Sequence, residues 1–226
     1  MVRAGCDVAV LEVTSHALTQ WRLCGVHFHT AVLTNITKDH IEYHGSVEAY
    51  VAAKRRMFEK NPALAVLPAD DPHGEQFAAL KSGKRFMYGL KSGDVFSSEI
   101  VYEPTRTHFT LHHRAGDDAG DGGGDGTLNG EGVTHKITLN LPAEHNVQNA
   151  LAAVGVAIGW SVPLEKIAAA FEKMKPIPGR YEPVFAGQDF SVIVDYAHGP
   201  DSLEKLCAFY RSLTKGKLIA VFGATG

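Results

Sequence analysis

Short apolar runs alternate with stretches of helical periodicity through the first 90 residues of the chain. Four of these runs are short and are bounded by polar or turn-forming residues, which predicts buried strands over residues 7–13, 27–33, 63–67 and 85–90. The segments between them predict helices. Strands that alternate with helices are typical of a parallel sheet covered by helices, so we expect an α/β fold.

The predicted helices carry start and stop signals. Ser46 is a suitable N-cap for a helix that ends at Asn61-Pro62. Another helix is expected to begin near Ser15. Asp70-Asp71-Pro72 predicts the start of a third helix, which should run to about residue 82.

The pattern changes after the fourth predicted strand. Residues 95–113 and 133–141 are rich in Thr, Val and Phe and predict antiparallel strands. The segment 115–132 between them is rich in Gly and Asp and has almost nothing to bury, which predicts a mobile hairpin insertion. Helical spacing then resumes over residues 145–159 and 163–174.

The connector Pro176-Ile177-Pro178-Gly179 is stiff and is the predicted domain boundary, which divides the chain into residues 1–178 and 179–226. The second part is too short for a domain. It contains one predicted βαβ unit, made of residues 191–195, 201–213 and 218–222.

Composition narrows the classes of function. A chain of 226 residues that is 45% hydrophobic can bury one sizeable core, or one domain and part of another. A net charge of -3 offers no basic surface to nucleic acid. No apolar run approaches the roughly 20 residues that a membrane helix needs. Three cysteines without metal-ligand spacing predict buried thiols in a reducing compartment, so we expect a cytoplasmic protein. We also expect a monomer.

The most informative segment is a cluster of polar side chains after the second predicted strand. The apolar residues 30–33 lead into Thr34-Asn35-Ile36-Thr37-Lys38-Asp39-His40-Ile41-Glu42-Tyr43-His44-Gly45. Polar side chains at the end of a buried strand are where α/β enzymes place their chemistry. Together with Leu11-Glu12-Val13-Thr14-Ser15-His16 upstream, the segment predicts a magnesium-nucleotide site with its substrate side attached.

Several side chains upstream of this segment have both a functional and a structural interpretation. Glu12, at the end of the first predicted strand, is either a ligand for a hard cation such as Mg²⁺ or a cap for the helix near Ser15. Thr14, Gln20 and Arg22 supply a hydroxyl, an amide and a guanidinium group. They form either a polar wall for a substrate or an ordinary helix surface.

His40 and Lys54 are weak candidates when each is taken alone. The chain has twelve histidines, which favours a structural role for any one of them. Lys54 lies in a predicted helix with Arg55 and Arg56 beside it, as a solvated surface lysine would. An ammonium group has three donors and no acceptor, so Lys54 could ligate a cation only after conversion to a carbamate.

Further along the chain, Asn146 and Asn149 are three residues apart at a predicted helix start, which places both amides on one face. They could bind a purine edge, or Asn146 could cap the helix. Arg180 follows the connector and suits a phosphate, and Asp195 ends a predicted strand, where an aspartate commonly meets a ribose hydroxyl.

In order and spacing, these segments together resemble the Mur ligases, the ATP-dependent amide-forming enzymes of peptidoglycan synthesis, and within them the UDP-N-acetylmuramoyl-tripeptide synthetase (MurE) type. The resemblance spans nearly the whole chain. It rests on residues 12–18 and 34–45, on Ala52-Ala53-Lys54, on His145-Asn146-Val147-Gln148-Asn149-Ala150, on Gly179-Arg180-Tyr181-Glu182 and on Asp195-Tyr196-Ala197-His198-Gly199-Pro200-Asp201.

The resemblance implies a role for each candidate. Metal ligands would be Glu12, His40 and Lys54, with His40 and a carbamylated Lys54 serving catalysis. The remaining residues would bind the two larger ligands: the UDP-muramoyl dipeptide by Thr14, Gln20 and Arg22, and ATP by Asn35, Asn149, Arg180 and Asp195, with Asp195 near the ribose.

The fold implied by the resemblance is a mostly parallel sheet with flanking helices, the Mur ligase central domain. It is followed by an antiparallel β segment and by the first βαβ unit of a Rossmann-like C-terminal domain. The implied reaction uses ATP and Mg²⁺ to add an amino acid to UDP-N-acetylmuramoyl-L-Ala-D-Glu through an acyl phosphate.

Thr14 stands where the family usually has Ser, a mild departure that keeps the hydroxyl, and Gly199 stands where the family usually has Thr. The family's N-terminal domain, its phosphate loop and most of its C-terminal domain are not found in these 226 residues, so we expect this chain to be inactive alone. Two other interpretations stay open. One is another ligase of the superfamily, such as folylpolyglutamate synthase, cyanophycin synthetase or a MurT-like enzyme, and the other is a non-catalytic binding remnant.

Overall fold

The computed structural model describes residues 2–36, 41–114 and 132–223. It contains a six-stranded sheet, a separate two-stranded sheet and seven α-helices among those residues. The strands are β1 (Thr30–Val32), β2 (Leu64–Pro68), β3 (Lys84–Gly89), β4 (Val95–Tyr102), β5 (Thr107–His113), β6 (Val133–Leu139), β7 (Glu182–Val184) and β8 (Val192–Val194). The helices are α1 (Ser15–Thr19), α2 (Ile41–His44), α3 (Val47–Phe58), α4 (Gly74–Ala78), α5 (Glu144–Gly159), α6 (Leu164–Glu172) and α7 (Pro200–Leu213).

The large sheet is mixed, with strands in the order β1-β2-β3-β4-β5-β6. The first four strands pair in parallel, and β4, β5 and β6 pair antiparallel. All five residues of β2 are buried, as expected for a parallel strand that is covered on both faces. The predicted α/β fold, with a mostly parallel sheet, flanking helices and an antiparallel segment, is therefore confirmed.

Two apolar cores lie on opposite faces of the parallel strands. On one face α5 covers β2 and β3, with Leu151 and Val154 fully buried against Val66. On the other face α3 and α4 contribute Phe58 and Phe77, whose rings meet edge to face at 5.1 Å. Because successive strand residues point to opposite faces, Val66 belongs to the first core and Leu67 to the second.

Close packing of α5 on β2 depends on small residues in the helix. A Cβ atom added at Gly159 would lie 2.5 Å from Leu64 Cδ2, which is closer than real contacts allow. Glycine at this position therefore lets the helix backbone approach the central strand.

The N-cap predicted for α3 is confirmed. The Ser46 hydroxyl accepts a hydrogen bond from the Ala49 amide at 3.1 Å, and Ser46 itself is extended. The third predicted helix is much shorter than expected, and only α4 is helical. Asp71 accepts from the His73 amide in the loop that follows β2, whereas Asp70 accepts from the Leu90 amide after β3.

The residues after the connector pack on the antiparallel end of the large sheet. Tyr210, on α7, donates its hydroxyl to the Pro104 carbonyl at 3.0 Å. The ring of Phe209 meets Tyr102 edge to face at 5.8 Å and Tyr181 at 6.0 Å. This aromatic cluster joins the two parts of the chain.

Two predicted strands are not formed, and the reason is the same for both. In residues 7–13, Val10 is 94% exposed, and in residues 218–222, Val221 is 93% exposed. An apolar run becomes a strand only when neighbouring backbone pairs with it, and no described residue pairs with either segment. The predicted βαβ unit is consequently incomplete: β8 pairs antiparallel with β7 and is followed by α7 without a second parallel strand.

The predicted insertion over residues 115–132 lies almost entirely outside the described residues. All three cysteines are free thiols, but Cys6 and Cys24 are exposed, so the prediction that they are buried was wrong. Among the helices of the described residues, none is long and apolar enough to cross a membrane.

We predict that Leu151→Ala destabilises the fold by about 2–5 kcal/mol, because it removes a fully buried side chain from the core between α5 and the sheet. Val101→Ala is the control, since Val101 is 57% exposed on β4 and should cost less than about 1 kcal/mol. Urea unfolding followed by circular dichroism measures both values. Equal losses in the two variants would contradict this assignment of the core.

Candidate functional site

The candidate site is built around the loop that follows β1. Residues 33–36, which we call the strand-end loop, leave the sheet at the carboxyl end of β1. Lys54, on α3, is partly buried and donates from Nζ to the Asn35 carbonyl at 3.1 Å. Its Nζ also lies 5.0 Å from the centre of the Tyr50 ring. Lys54 therefore contacts the strand-end loop through its ammonium group, in a hydrogen bond that is exposed to solvent.

The proposed substrate wall lies on and beside α1, which packs against α3. The Thr14 hydroxyl accepts from the Ala17 amide at 3.1 Å, so Thr14 caps α1 and keeps its own hydrogen to donate. Gln20 donates from Nε2 to the Tyr43 hydroxyl at 3.2 Å, and Arg22 is exposed beside them. Glu12 is exposed in an irregular segment, and the helix cap that was its alternative role is supplied by Thr14.

Helix α3 fixes the position of this wall relative to Lys54. The Arg56 guanidinium donates to the Leu18 carbonyl at 3.3 Å and lies 5.3 Å from the centre of the Trp21 ring. Lys60 donates from Nζ to the Val26 carbonyl at 3.2 Å. Helix α3 and Lys60, which lies two residues beyond the end of α3, thus contact both α1 and the segment that follows α1.

The short helix α2 contributes two contacts that sequence reasoning did not assign to particular residues. His44 Nε2 lies 2.9 Å from the hydroxyl of Ser15, which is 2% exposed. The Tyr43 ring lies 4.0 Å from the ring of His16. Tyr43 and His44 are distinguished in the sequence only as part of the longer polar segment, because contacts between side chains 27 and 29 positions apart leave no local pattern.

The pKa of Tyr43 is held below its usual range by its hydrogen-bonding contacts with Thr19 and Gln20 and, to a smaller extent, by the positive charge of Arg22. Tyr43 is 48% exposed, and its hydroxyl contacts the Thr19 hydroxyl and the Gln20 amide, each at 3.2 Å. Tyr43 thereby links α2 to the proposed substrate wall.

The amides at the start of α5 have different environments. Asn146 donates from Nδ2 to the Pro142 carbonyl at 2.7 Å, which supports the structural interpretation of that residue. Asn149 is exposed one turn further along the same helix. Of these two amides, only that of Asn149 is therefore exposed and available to contact a nucleotide.

Arg180 directly follows the connector, and Asp195, which follows β8, contacts the amide of the neighbouring Tyr181. The Asp195 carboxylate accepts from the Tyr181 amide at 2.9 Å and from the Ala197 amide at 2.8 Å, one bond to each oxygen. The Arg180 guanidinium lies 5.0 Å from the centre of the Tyr196 ring. Asp195 thus holds the backbone of this region, and a ribose would have to use the remaining lone pairs of its oxygens.

The described residues do not assemble a magnesium site by themselves. Within residues 2–36, 41–114 and 132–223, no group of three or more His, Cys, Asp or Glu side chains is arranged to hold a metal ion. Lys54 as an ammonium group cannot be a ligand. His40, the third predicted ligand, lies outside the described residues.

Taken together, the geometry is that of an α/β domain in which Lys54 contacts the strand-end loop at the carboxyl end of the parallel strands. A family model described as "Mur ligase middle domain" matches residues 1–157, and one described as "Mur ligase, glutamate ligase domain" matches residues 179–226. The chain belongs to the Mur ligase family.

Curated relatives and solved structures agree with this assignment. The chain is 40% identical over 245 residues to a UDP-N-acetylmuramyl-tripeptide synthetase of Roseiflexus sp., covering 100% of this chain and 44% of that protein. It is 39% identical over 235 residues to the UDP-N-acetylmuramoyl-L-alanyl-D-glutamate--2,6-diaminopimelate ligase of Bacillus licheniformis, covering 100% and 45%.

A solved structure of a UDP-N-acetylmuramoyl-L-alanyl-D-glutamate--2,6-diaminopimelate ligase superposes with a TM-score of 0.77 at 29% identity, covering 99% of this chain and 44% of that one. A MurF ligase from Thermotoga maritima, solved in complex with ADP, shares the fold at 16% identity with a TM-score of 0.62, covering 87% and 42%. The chain therefore spans less than half the length of the relatives it matches.

Proposed function

We propose that this chain is part of an ATP-dependent ligase that adds the third amino acid to UDP-N-acetylmuramoyl-L-Ala-D-Glu. Its membership of the Mur ligase family and its similarity to tripeptide synthetases support the reaction class. The observation that carries the proposal is the position of Lys54, which donates to the Asn35 carbonyl beside the strand-end loop.

The proposed reaction has two steps. A carboxylate oxygen of the substrate's terminal D-Glu attacks the γ-phosphorus of ATP, and the bond from that phosphorus to the β-γ bridging oxygen breaks, which gives an acyl phosphate and ADP. The amino group of the incoming amino acid then attacks the acyl carbon, loses a proton and expels inorganic phosphate to leave an amide. Mg²⁺, when bound, would neutralise the phosphate charge that develops during transfer.

Lys54 is proposed to act as a carbamate. Its neutral amine attacks the carbon of CO₂, one N–C bond forms and a proton leaves, so a donor becomes a carboxylate. The nitrogen keeps one N–H in the carbamate. The existing hydrogen bond to the Asn35 carbonyl can therefore persist and hold the nitrogen while the new carboxylate is directed away from the loop.

The other candidates keep the roles that the family resemblance gives them. Glu12 and His40 are proposed as the metal ligands beside the Lys54 carbamate. The substrate wall is formed by Thr14, Gln20 and Arg22, and its contact with α2 through Tyr43 supports a fixed orientation of the Gln20 amide. ATP is proposed to contact Asn35, Asn149, Arg180 and Asp195.

We propose residues 1–178 and 179–226 as the central and C-terminal domain portions, which the separate family matches to residues 1–157 and 179–226 support. Closure about the connector near Pro178 would bring Arg180 and Asp195 towards the strand-end loop. The proposed working form is a cytoplasmic monomer. The 2,6-diaminopimelate in the name of the Bacillus licheniformis relative is the amino acid to test first.

We predict that ¹³C-bicarbonate at mildly alkaline pH produces a lysine-carbamate signal in the ¹³C NMR spectrum of the chain, because a neutral amine reacts with CO₂. The signal should disappear in Lys54→Arg, which keeps the charge but cannot form the carbamate. It should persist in Lys166→Arg, since Lys166 is exposed on α6. A spectrum without a carbamate signal, or a signal that survives Lys54→Arg, would contradict the proposed role.

We also predict that the 226-residue chain binds the UDP-muramoyl dipeptide weakly and does not turn over ATP, because it spans less than half the length of its relatives. Calorimetric titration should show that Arg22→Ala weakens binding about tenfold, the loss expected for one charge-assisted hydrogen bond. Arg211→Ala, on α7, is the matched control and should leave binding unchanged. Amide formation by this chain alone would contradict the predicted inactivity. If Arg22→Ala and Arg211→Ala weakened binding equally, the proposed role of Arg22 in the substrate wall would be wrong.

A further inference from the structure

We propose that Asp71 and Tyr88 are positioning residues that fix the strand-end loop and, through the Asn35 carbonyl, the place of Lys54. The contacts are independent of any ligand, but their importance for catalysis rests on the proposed function. Neither residue is among the candidates that the polar sequence segments supplied. We call the pair the loop clamp.

Tyr88 forms one half of the loop clamp. It lies on β3, is 2% exposed, and its hydroxyl is 2.9 Å from the Leu33 carbonyl and 2.9 Å from the Thr34 carbonyl. The single hydroxyl hydrogen is thus shared by two consecutive carbonyl oxygens of the loop. Burial, with the nearby charges of Asp71 and Asp70, raises the pKa of Tyr88 far above its usual value, so the hydroxyl stays protonated and remains a donor.

Asp71 forms the other half. One carboxylate oxygen accepts from the Ile36 amide at 2.9 Å, and the other accepts from the His73 amide at 2.8 Å. The bond to His73 is local and fixes the carboxylate within its own turn. The bond to Ile36 crosses to a loop 35 residues away in sequence. The carboxylate therefore ties the loop after β2 to the loop after β1.

The loop clamp brackets Asn35. The Thr34 carbonyl is held on one side by Tyr88, and the Ile36 amide is held on the other side by Asp71. With both flanking peptide groups fixed, the Asn35 carbonyl has a defined direction, and it is this carbonyl that accepts from Lys54 Nζ at 3.1 Å. A change of about an ångström in the loop would move the lysine's acceptor, and displacements of that size are costly in active sites.

The parallel sheet explains why these groups meet. Strands β1, β2 and β3 are adjacent and parallel, so their carboxyl ends share one edge. The strand-end loop follows β1, Asp71 lies in the loop that follows β2, and Tyr88 is the fifth of the six residues of β3. The ends of three neighbouring strands thus bring the strand-end loop, the Asp71 carboxylate and the Tyr88 hydroxyl together at one edge of the sheet.

An ordinary structural role is the alternative, and the chain supplies a control for it. Asp94 also accepts a backbone hydrogen bond with its side chain, from the Met87 amide at 2.7 Å, but it does not touch the strand-end loop. If the loop clamp acts only through general stability, Asp71→Asn and Asp94→Asn should change the amide exchange of Ile36 and the reactivity of Lys54 to the same extent. If it positions the loop, only Asp71→Asn should affect Ile36 and Lys54.

Two substitutions remove the clamp with little change in shape. In Asp71→Asn the amide has one acceptor oxygen, which we expect to keep the local bond to the His73 amide, so the NH₂ group faces the Ile36 amide and the bond to Ile36 is lost. Tyr88→Phe deletes only the hydroxyl and leaves the ring in the core. Should Tyr88→Phe fail to fold, Asp71→Asn tests the proposal alone, because Asp71 is only partly buried.

The experiment measures the loop and the lysine directly in the 226-residue chain. Amide hydrogen exchange of Ile36 is followed by NMR, and acetylation of Lys54 relative to Lys166 is followed by mass spectrometry. We expect Ile36 exchange to accelerate about tenfold in Asp71→Asn, and Lys54 acetylation to rise about three- to tenfold in both clamp variants, as expected for the loss of one hydrogen bond. Asp94→Asn should change neither rate.

Unchanged Ile36 exchange and Lys54 acetylation in Asp71→Asn would overturn the proposal, and so would equal changes in Asp94→Asn. Neither readout requires ATP, Mg²⁺ or the UDP-muramoyl dipeptide. A chain with an intact loop clamp but without a carbamate on Lys54 would therefore count against the proposed function alone, and the reverse result would count against the loop clamp alone.

Discussion

The pairing of β2 between β1 and β3 is the constraint on which the rest of the structure depends. Each residue of β2 is buried, with Val66 facing the α5 core and Leu67 facing the core under α3 and α4. Because these strands are parallel, burying β2 on both faces also brings three strand ends to one edge. The same hydrophobic contacts that stabilise the fold therefore gather the strand-end loop, Asp71 and Tyr88.

The sequence predicted correctly those elements that are covered by other parts of this chain, and it was wrong for apolar segments that are not covered. The short apolar run that became β2 and the helical spacing of α5 were predicted to within a few residues, since burial imposes a clear pattern on both. Residues 7–13 and 218–222 carry an equally apolar pattern and form no strand, because pairing depends on a partner that a local pattern does not specify. Helix α4 is shorter than predicted, because the Asp71 carboxylate accepts from the His73 amide in the preceding loop and so competes with helix formation.

The sequence predicted which residue types lie in the candidate site, but it did not predict which groups their side chains contact. Thr14 and Asp195 were singled out for ligands, and both turn out to hold backbone amides. Lys54 was indistinguishable from a surface lysine on local grounds, and only the fold reveals that its ammonium group is held by the Asn35 carbonyl. The sequence places Tyr88 in a predicted buried strand but does not reveal the role of its hydroxyl. That hydroxyl donates to carbonyls more than 50 positions away, which leave no local pattern.

A crystal structure of the chain grown in the presence of bicarbonate tests the central claim, that the fold holds Lys54 at the strand-end loop as a site for carbamate formation. The expected electron density places Lys54 Nζ within hydrogen-bonding distance of the Asn35 carbonyl, with a planar carboxylate extending from the nitrogen. Density for an unmodified Lys54 side chain that points into solvent, away from Asn35, would contradict it.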